Sequence, residues 1–88
     1  RGLPWHQDNQ YEQIVGRALN SFIALCRITP ERCNLWIAPG SHRGGVRPSV
    51  AAAGRDGHRE DAGAVEGLCL PTLEPGDASI FDRNTLHR

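Results

Sequence analysis

The chain has 88 residues, and its ten basic side chains, all arginine, balance ten acidic ones for a formal net charge of zero. A neutral balance without a basic stripe argues against a nucleic-acid or anionic-membrane partner, and no apolar run approaches the length of a spanning helix. Cys26, Cys33 and Cys69 are odd in number and lack the C-x-x-C spacing of a zinc ribbon, so buried reduced thiols and a cytoplasmic location are expected.

The chain opens at Arg1 and stops at Arg88 without a closing turn or polar tail, and it reads as a piece of a larger domain. Near its start, Pro4-Trp5-His6-Gln7-Asp8 sets a histidine two residues before an aspartate. In an extended segment both side chains leave the same face, because strand side chains alternate with period two, and the pair would make a two-toothed metal clamp. The alternative is a surface histidine beside a solvated carboxylate.

Between Ile14 and Cys26 the apolar residues fall at Ile14, Val15, Ala18, Leu19, Phe22, Ile23 and Cys26, a helical stripe by spacing alone. Gly16 interrupts it, and Asn20, Ser21, Phe22 and Ile23 are mediocre helix formers. Thr29-Pro30-Glu31 is a polar break, after which Asn34 to Ala38 reads as a short buried strand that ends in the turn Pro39-Gly40-Ser41-His42. Residues 43–66 mix Gly, Ala, Arg and Asp with neither a period of two nor a sustained helical face, so a long mobile loop acting as a lid is expected there. Gly67 to Leu73 looks extended, Glu74-Pro75-Gly76-Asp77 has Pro and Gly in type II order, and Ala78 to Phe81 returns as a strand. These features predict a hairpin that delivers His87.

Non-haem iron enzymes hold Fe(II) with two imidazoles and one carboxylate on one octahedral face and keep the remaining positions for ligands and dioxygen. His6 and Asp8 supply two such donors, and the third must be His42, His58 or His87. His58 lies among Arg59, Glu60 and Asp61, a solvated setting, and His42 follows a tight turn. His87 comes after a strand and the apolar Leu86, a placement that holds a ring rigidly, and it is preferred. Ser41 and His42 lack the G-x-S-x-G elbow of a nucleophile, so a turn-forming role is expected. His58-Arg59-Glu60 lacks the P-C-x-x-C of a zinc deaminase. Trp5 and Phe22 read as core packing, with pocket lining as the alternative.

Three stretches, PWHQD, NLWIAPGSHRGG and LEPGDASIFDRNTLHR, together resemble the phytanoyl-CoA dioxygenase family of iron(II)- and 2-oxoglutarate-dependent oxygenases, in which an H-x-D pair, a P-G-S/T-H turn and a G-D turn before a distal histidine occur in this order. The resemblance covers nearly the whole chain apart from 43–66. It implies an all-β fold, a double-stranded β-helix or jelly-roll with the metal between two sheets, of which residues 1–88 would be an incomplete core. Under that fold the stripe at 17–27 is a β-strand, and the helical spacing is overridden.

By the same resemblance, His6, Asp8 and His87 hold Fe(II) and carry catalysis, with 2-oxoglutarate as a co-substrate that chelates the metal through its 2-keto and C1-carboxylate oxygens. Dioxygen and a small organic substrate are the other partners, and an unactivated C–H bond is the site of reaction. Relatives that halogenate replace the carboxylate with a small residue, so the presence of Asp8 implies hydroxylation. Asn20 and Ser21 alternate on the strand, so one of them should face the site and bind co-substrate or substrate, with a hydrogen-bonded structural polar group as the equal alternative. The arginine that anchors the distal carboxylate of 2-oxoglutarate is expected beyond Arg88, which neighbours His87 and therefore points to the opposite face. Rival readings are a non-catalytic jelly-roll module that binds a metal or ligand, and an unrelated small helical domain in which residues 14–26 are helical and His6 lies far from His87. The substrate itself is not legible, although the arginines of 43–66 hint at an anionic group.

Overall fold

The computed structural model describes residues 3–10, 14–32, 34–51, 58–60 and 65–88, with the backbone alone for 49–51 and 58–60. Among them run the strands β1 (Leu19–Ile23), β2 (Trp36–Ile37), β3 (Ser49–Ala51), β4 (His58–Glu60), β5 (Leu68–Cys69) and β6 (Ala78–Asp82), with short 3-10 helices at Asp8–Gln10 and Ser41–Gly44. The described elements are thus almost entirely strands, as an all-β fold requires, although these strands alone do not amount to a complete jelly-roll.

The helical spacing of residues 14–26 does not produce a helix. β1 instead alternates, with Asn20 and Phe22 turned inward and Leu19, Ser21 and Ile23 exposed. It pairs antiparallel with β6 over its whole length, Leu19 opposite Asp82 and Ile23 opposite Ala78. The pairing continues in the same register at both ends, through the amide of Arg83 to the Ala18 carbonyl (3.0 Å) and through reciprocal bonds between Ile28 and Leu73 (2.9 Å). Ten or so residues on each side therefore form one ribbon, and a partner strand across the chain outweighs a periodicity that propensity supports only weakly.

The turn at Glu74–Asp77 closes with the Asp77 amide donating to the Glu74 carbonyl (2.9 Å), and Gly76 has φ 94°, the left-handed value that position i+2 of a type II turn demands. The turn does not make the expected hairpin, however. Residues 67–73 do not fold back on β6; β5 pairs with β2, and Leu73 pairs with Ile28. The chain changes partner at Pro71-Thr72, where the buried Asn34 donates from Nδ2 to the carbonyls of Leu70 and Pro71 (2.8 Å each) and accepts the Leu35 amide (2.7 Å). A corner of this kind is set by one long-range side chain, which local turn signals cannot reveal.

A second group of extended segments runs alongside. His87 bridges His6 on one side and Ile37 on the other, and β2 continues the pairing to β5. The link from β6 into this group is the Asp82–Thr85 turn, closed by the Thr85 amide on the Asp82 carbonyl (2.9 Å) and the Asn84 amide on the Asp82 carboxylate (2.7 Å). One short stretch of chain thus leaves the first ribbon and becomes the central segment of the second.

Within 43–66, expected to be irregular, β3 and β4 pair antiparallel with Ser49 opposite Glu60. Residues 52–57 and 61–64 lie outside the described residues, as do the side chains at Val50 and Ala51, so the expected lid falls largely outside them. Buried apolar side chains are Ala24, Ala38, Leu73 and Leu86, and beside them His6, Gln7, Asn9, Asn34, Ser41, Thr85 and His87 are buried polar groups. This interior is therefore held as much by hydrogen bonds as by apolar contact. Burying Leu86 contributes about 1.5–3 kcal/mol and anchors the residue next to His87.

Candidate metal centre

His6 and His87 come together because their backbones pair: each amide donates to the other's carbonyl at 3.0 Å. In such a pair the two side chains leave the same face, so the rings meet with centroids 4.3 Å apart. Asp8, two residues after His6, opens the Asp8–Gln10 3-10 helix and turns its carboxylate back between them. Its Oδ1 lies 3.4 Å from Nε2 of His6 and 3.4 Å from Nε2 of His87. Donor atoms from all three residues lie within 4.8 Å of one another.

Both imidazoles are oriented by the same device. Nδ1–H of His6 donates to the Pro4 carbonyl (2.8 Å) and Nδ1–H of His87 to the Thr85 carbonyl (2.9 Å), in each case two residues upstream. That commits Nδ1 of each ring to a carbonyl and turns Nε2 toward Asp8. Two donors at right angles, each about 2 Å from one ion, stand about 3 Å apart, so the observed spacing suits a single metal ion. Two imidazole nitrogens and one carboxylate oxygen are also the donor set of a non-haem iron site. The residues fit such an ion.

The charges follow from this geometry. Hydrogen bonds from His6 and then His87 hold the Asp8 carboxyl well below the usual carboxylate range, against the opposing effect of its burial. At His6 burial is the largest influence and opposes the charged ring. The hydrogen bond to Asp8, the Pro4 carbonyl and the charge of Asp8 together outweigh it, and the pKa is raised above the ordinary 6.5. An anionic oxygen between two imidazoles is a site prepared for a cation.

Several supports were not singled out in the sequence. Gln7, between the two ligands and fully buried, points the other way: Nε2 donates to the carbonyls of Gly45 (2.8 Å) and Asn84, and Oε1 accepts the Arg47 amide (2.7 Å). Asn9 reaches the same region, donating to Asn84 Oδ1 (2.7 Å) and accepting from Arg83 Nε (2.9 Å). Ser41, whose expected role was turn formation, donates to the Ala38 carbonyl (2.7 Å) and accepts the Leu86 amide (2.8 Å), which ties the P-G-S-H turn to the His87 strand. The signal for Gln7 lay in its position, since the middle residue of an extended H-x-D must face away from the metal and find its own partners.

The other candidates are placed as follows. Asn20 faces inward from β1, and its Nδ2 donates to Asp8 Oδ2. Ser21 is exposed on the opposite face, with Leu19 and Ile23. His42 is exposed on the 3-10 helix Ser41–Gly44, and His58 belongs to β4, where the backbone alone is described. Phe22 is half-buried on the inner face of β1, and Phe81, across the ribbon from Asn20, packs its ring 4.9 Å from that of His87. Trp5 and Trp36 flank Arg88, whose guanidinium lies 5.3 Å and 5.0 Å from their ring centroids. Arg27 pairs with Glu74 at the surface (3.1 Å).

Among the described residues, no helix is long and apolar enough to cross a membrane. The family model Phytanoyl-CoA dioxygenase (PhyH) matches residues 1–88. Phytanoyl-CoA dioxygenase domain-containing protein 1 of Bos taurus is 38% identical over 79 residues, a match that covers 86% of this chain and 25% of the relative. The chain therefore spans about a quarter of the length of that relative. No solved structure matches it. With the family model matched from end to end, the chain belongs to the phytanoyl-CoA dioxygenase family.

Proposed function

We propose that the protein is an iron(II)- and 2-oxoglutarate-dependent dioxygenase that hydroxylates an unactivated C–H bond of a small organic substrate, with His6, Asp8 and His87 as the metal ligands. One observation carries this reading: three donors of the required types, His6 Nε2, Asp8 Oδ1 and His87 Nε2, converge within 4.8 Å, and both rings are fixed by backbone carbonyls. The family match supports the reaction class.

When bound, iron(II) supplies the redox chemistry by which dioxygen and 2-oxoglutarate convert R–H to R–OH, one oxygen atom entering the product and the other the succinate formed as carbon dioxide leaves. The residues of the chain contribute the rest. Asp8 is anionic across the physiological range, which draws the cation in and neutralises part of its charge. Nδ1 of each ring is committed to a backbone carbonyl, so Nε2 is the atom that His6 and His87 would offer the metal. The paired backbone of His6 and His87 brings the three donors together, so that they would hold the ion and could leave positions for exogenous ligands. Contrary to the expected burial, Cys26 is exposed and Cys69 half-buried on the short strand β5; both are free thiols, which suits a reducing compartment, and we place the protein in the cytoplasm.

The test is anaerobic titration of the full-length protein with Fe(II) and 2-oxoglutarate, followed by dioxygen uptake and succinate release against a panel of small organic acids and esters. A visible charge-transfer band on adding 2-oxoglutarate, and substrate-stimulated succinate release, are expected. Tight inert binding of Zn(II) with no 2-oxoglutarate-dependent oxygen uptake would instead make the protein a non-catalytic metal-binding module.

A further inference from the structure

From the amide of Asn20 we infer a positioning role: Asn20 holds one oxygen of Asp8, so that the carboxylate binds the metal through the other oxygen alone. The inference rests on the metal site proposed above. It differs from the expectation that Asn20 contacts co-substrate or substrate, because its amide donor is already committed to Asp8 Oδ2.

The geometry separates the two oxygens of Asp8 cleanly. Oδ1 faces both imidazoles at 3.4 Å, and Oδ2 faces the Asn20 amide. A carboxylate free to rotate can chelate a metal through both oxygens and so occupy two of its positions. A charge-assisted hydrogen bond to Oδ2 opposes that rotation, because chelation would require Oδ2 to leave its donor. The coordination position that chelation would take is then kept for an exogenous ligand.

The donor is also rigidly mounted. Asn20 sits on β1 directly across from Phe81 of β6, and the Phe81 ring packs against His87. One cross-strand pair therefore contacts both the carboxylate and an imidazole of the triad. The Asn20 bond joins the ribbon of β1 and β6 to the segment that carries His6 and Asp8, so the first sheet acts on the metal through a ligand and does not itself ligate.

The experiment uses the full-length protein with Mn(II) and Co(II) as probes. Asn20→Leu removes the donor at nearly constant volume, Asn20→Ala removes it with less bulk, and Asn20→Asp sets an acceptor against Asp8. In Asn20→Leu and Asn20→Ala, Mn(II) affinity should fall about 10–100-fold. Water-proton relaxation should count fewer exchangeable waters on Mn(II), and the Co(II) absorption bands should shift as the carboxylate chelates. Asn20→Asp should lose the most affinity, while thermal melts of the metal-free variants stay close to wild type. If Asn20→Leu and Asn20→Ala keep the wild-type affinity, water count and Co(II) spectrum, and only the KM for 2-oxoglutarate rises, Asn20 contacts the co-substrate and the inference is overturned. Failure of the wild-type protein itself to bind either ion would overturn the proposed metal site, a separate result from an Asn20 variant that binds like wild type.

Discussion

His6 and His87 stand at opposite ends of the chain, yet each donates its backbone amide to the other's carbonyl at 3.0 Å, so backbone pairing alone brings these two candidate ligands together. The side chains repeat that symmetry, each Nδ1 bound to the carbonyl two residues upstream.

Because the pairing is through the backbone, losing a ring should not cost the strand. His87→Ala is expected to keep its fold and to lose divalent-metal affinity by more than the roughly 10–100-fold that removal of an outer hydrogen-bond partner costs. His42→Ala, at an exposed position on the 3-10 helix Ser41–Gly44, serves as the control and should bind like wild type. Calorimetric titration with Mn(II) measures both, and equal affinities in the two variants would contradict the placement of His87 in the site.

Acidity should act on the metal-free protein from two sides. The folded pKa of Asp8 lies below its ordinary 3.8, so its contribution to stability is complete above that value and is lost as pH falls through the lowered one. The folded pKa of His6 lies above its ordinary 6.5, so its contribution is complete below that value and is lost as pH rises through the raised one. Divalent metal competes with the proton for His6 Nε2, hence binding tightens as pH rises through the same raised value. Thermal melts with and without Mn(II) between about pH 5 and 8 should show a metal-induced gain in Tm that grows with pH. A gain constant across that window would show that no proton leaves His6 on binding.

Gln7 should matter to stability more than its place between two ligands suggests. Gln7→Leu leaves the Gly45 and Asn84 carbonyls and the Arg47 amide without their present partner, and each buried group left unsatisfied costs about 1–3 kcal/mol. Denaturant unfolding should show a loss of at least one such increment, with metal affinity falling in parallel as the segment carrying His6 and Asp8 loosens. Unchanged stability would mean that water replaces the amide at no cost.

Two glycines should fail for different reasons when changed to alanine. At Gly67 the added methyl would run into the Trp5 indole and stand 3.0 Å from the Ile37 carbonyl, an overpacking that costs about 1–3 kcal/mol. At Gly76 nothing lies within 4 Å, but φ 94° makes the residue left-handed, at a cost of about 1–2 kcal/mol. Trp5→Ala should therefore recover part of the stability lost in Gly67→Ala and none of that lost in Gly76→Ala. Thermal denaturation of the double variants reads this directly.

The sequence by itself determined what depends on residue type and close spacing. H-x-D placed two donors on one side of an extended segment, Pro75 and Gly76 specified a type II turn by their backbone preferences, and three motifs in order identified the family. What the sequence left open was every decision made by distant pairing. The apolar spacing of residues 14–26 reads as a helix and only the family resemblance made it a strand, for which pairing with β6 supplies the physical cause. The extended stretch from Gly67 to Leu73 could pair with β6 or with β2, and the bonds from Asn34 at the corner, a long way off in the chain, turned it to β2. Asn20 and Ser21 were equivalent as neighbours on a strand until the ribbon chose which face is inward. Local chemistry names candidate donors and already favours His87, but which polar group meets the Asp8 carboxylate is set by pairing energies that accrue only when the whole chain has closed.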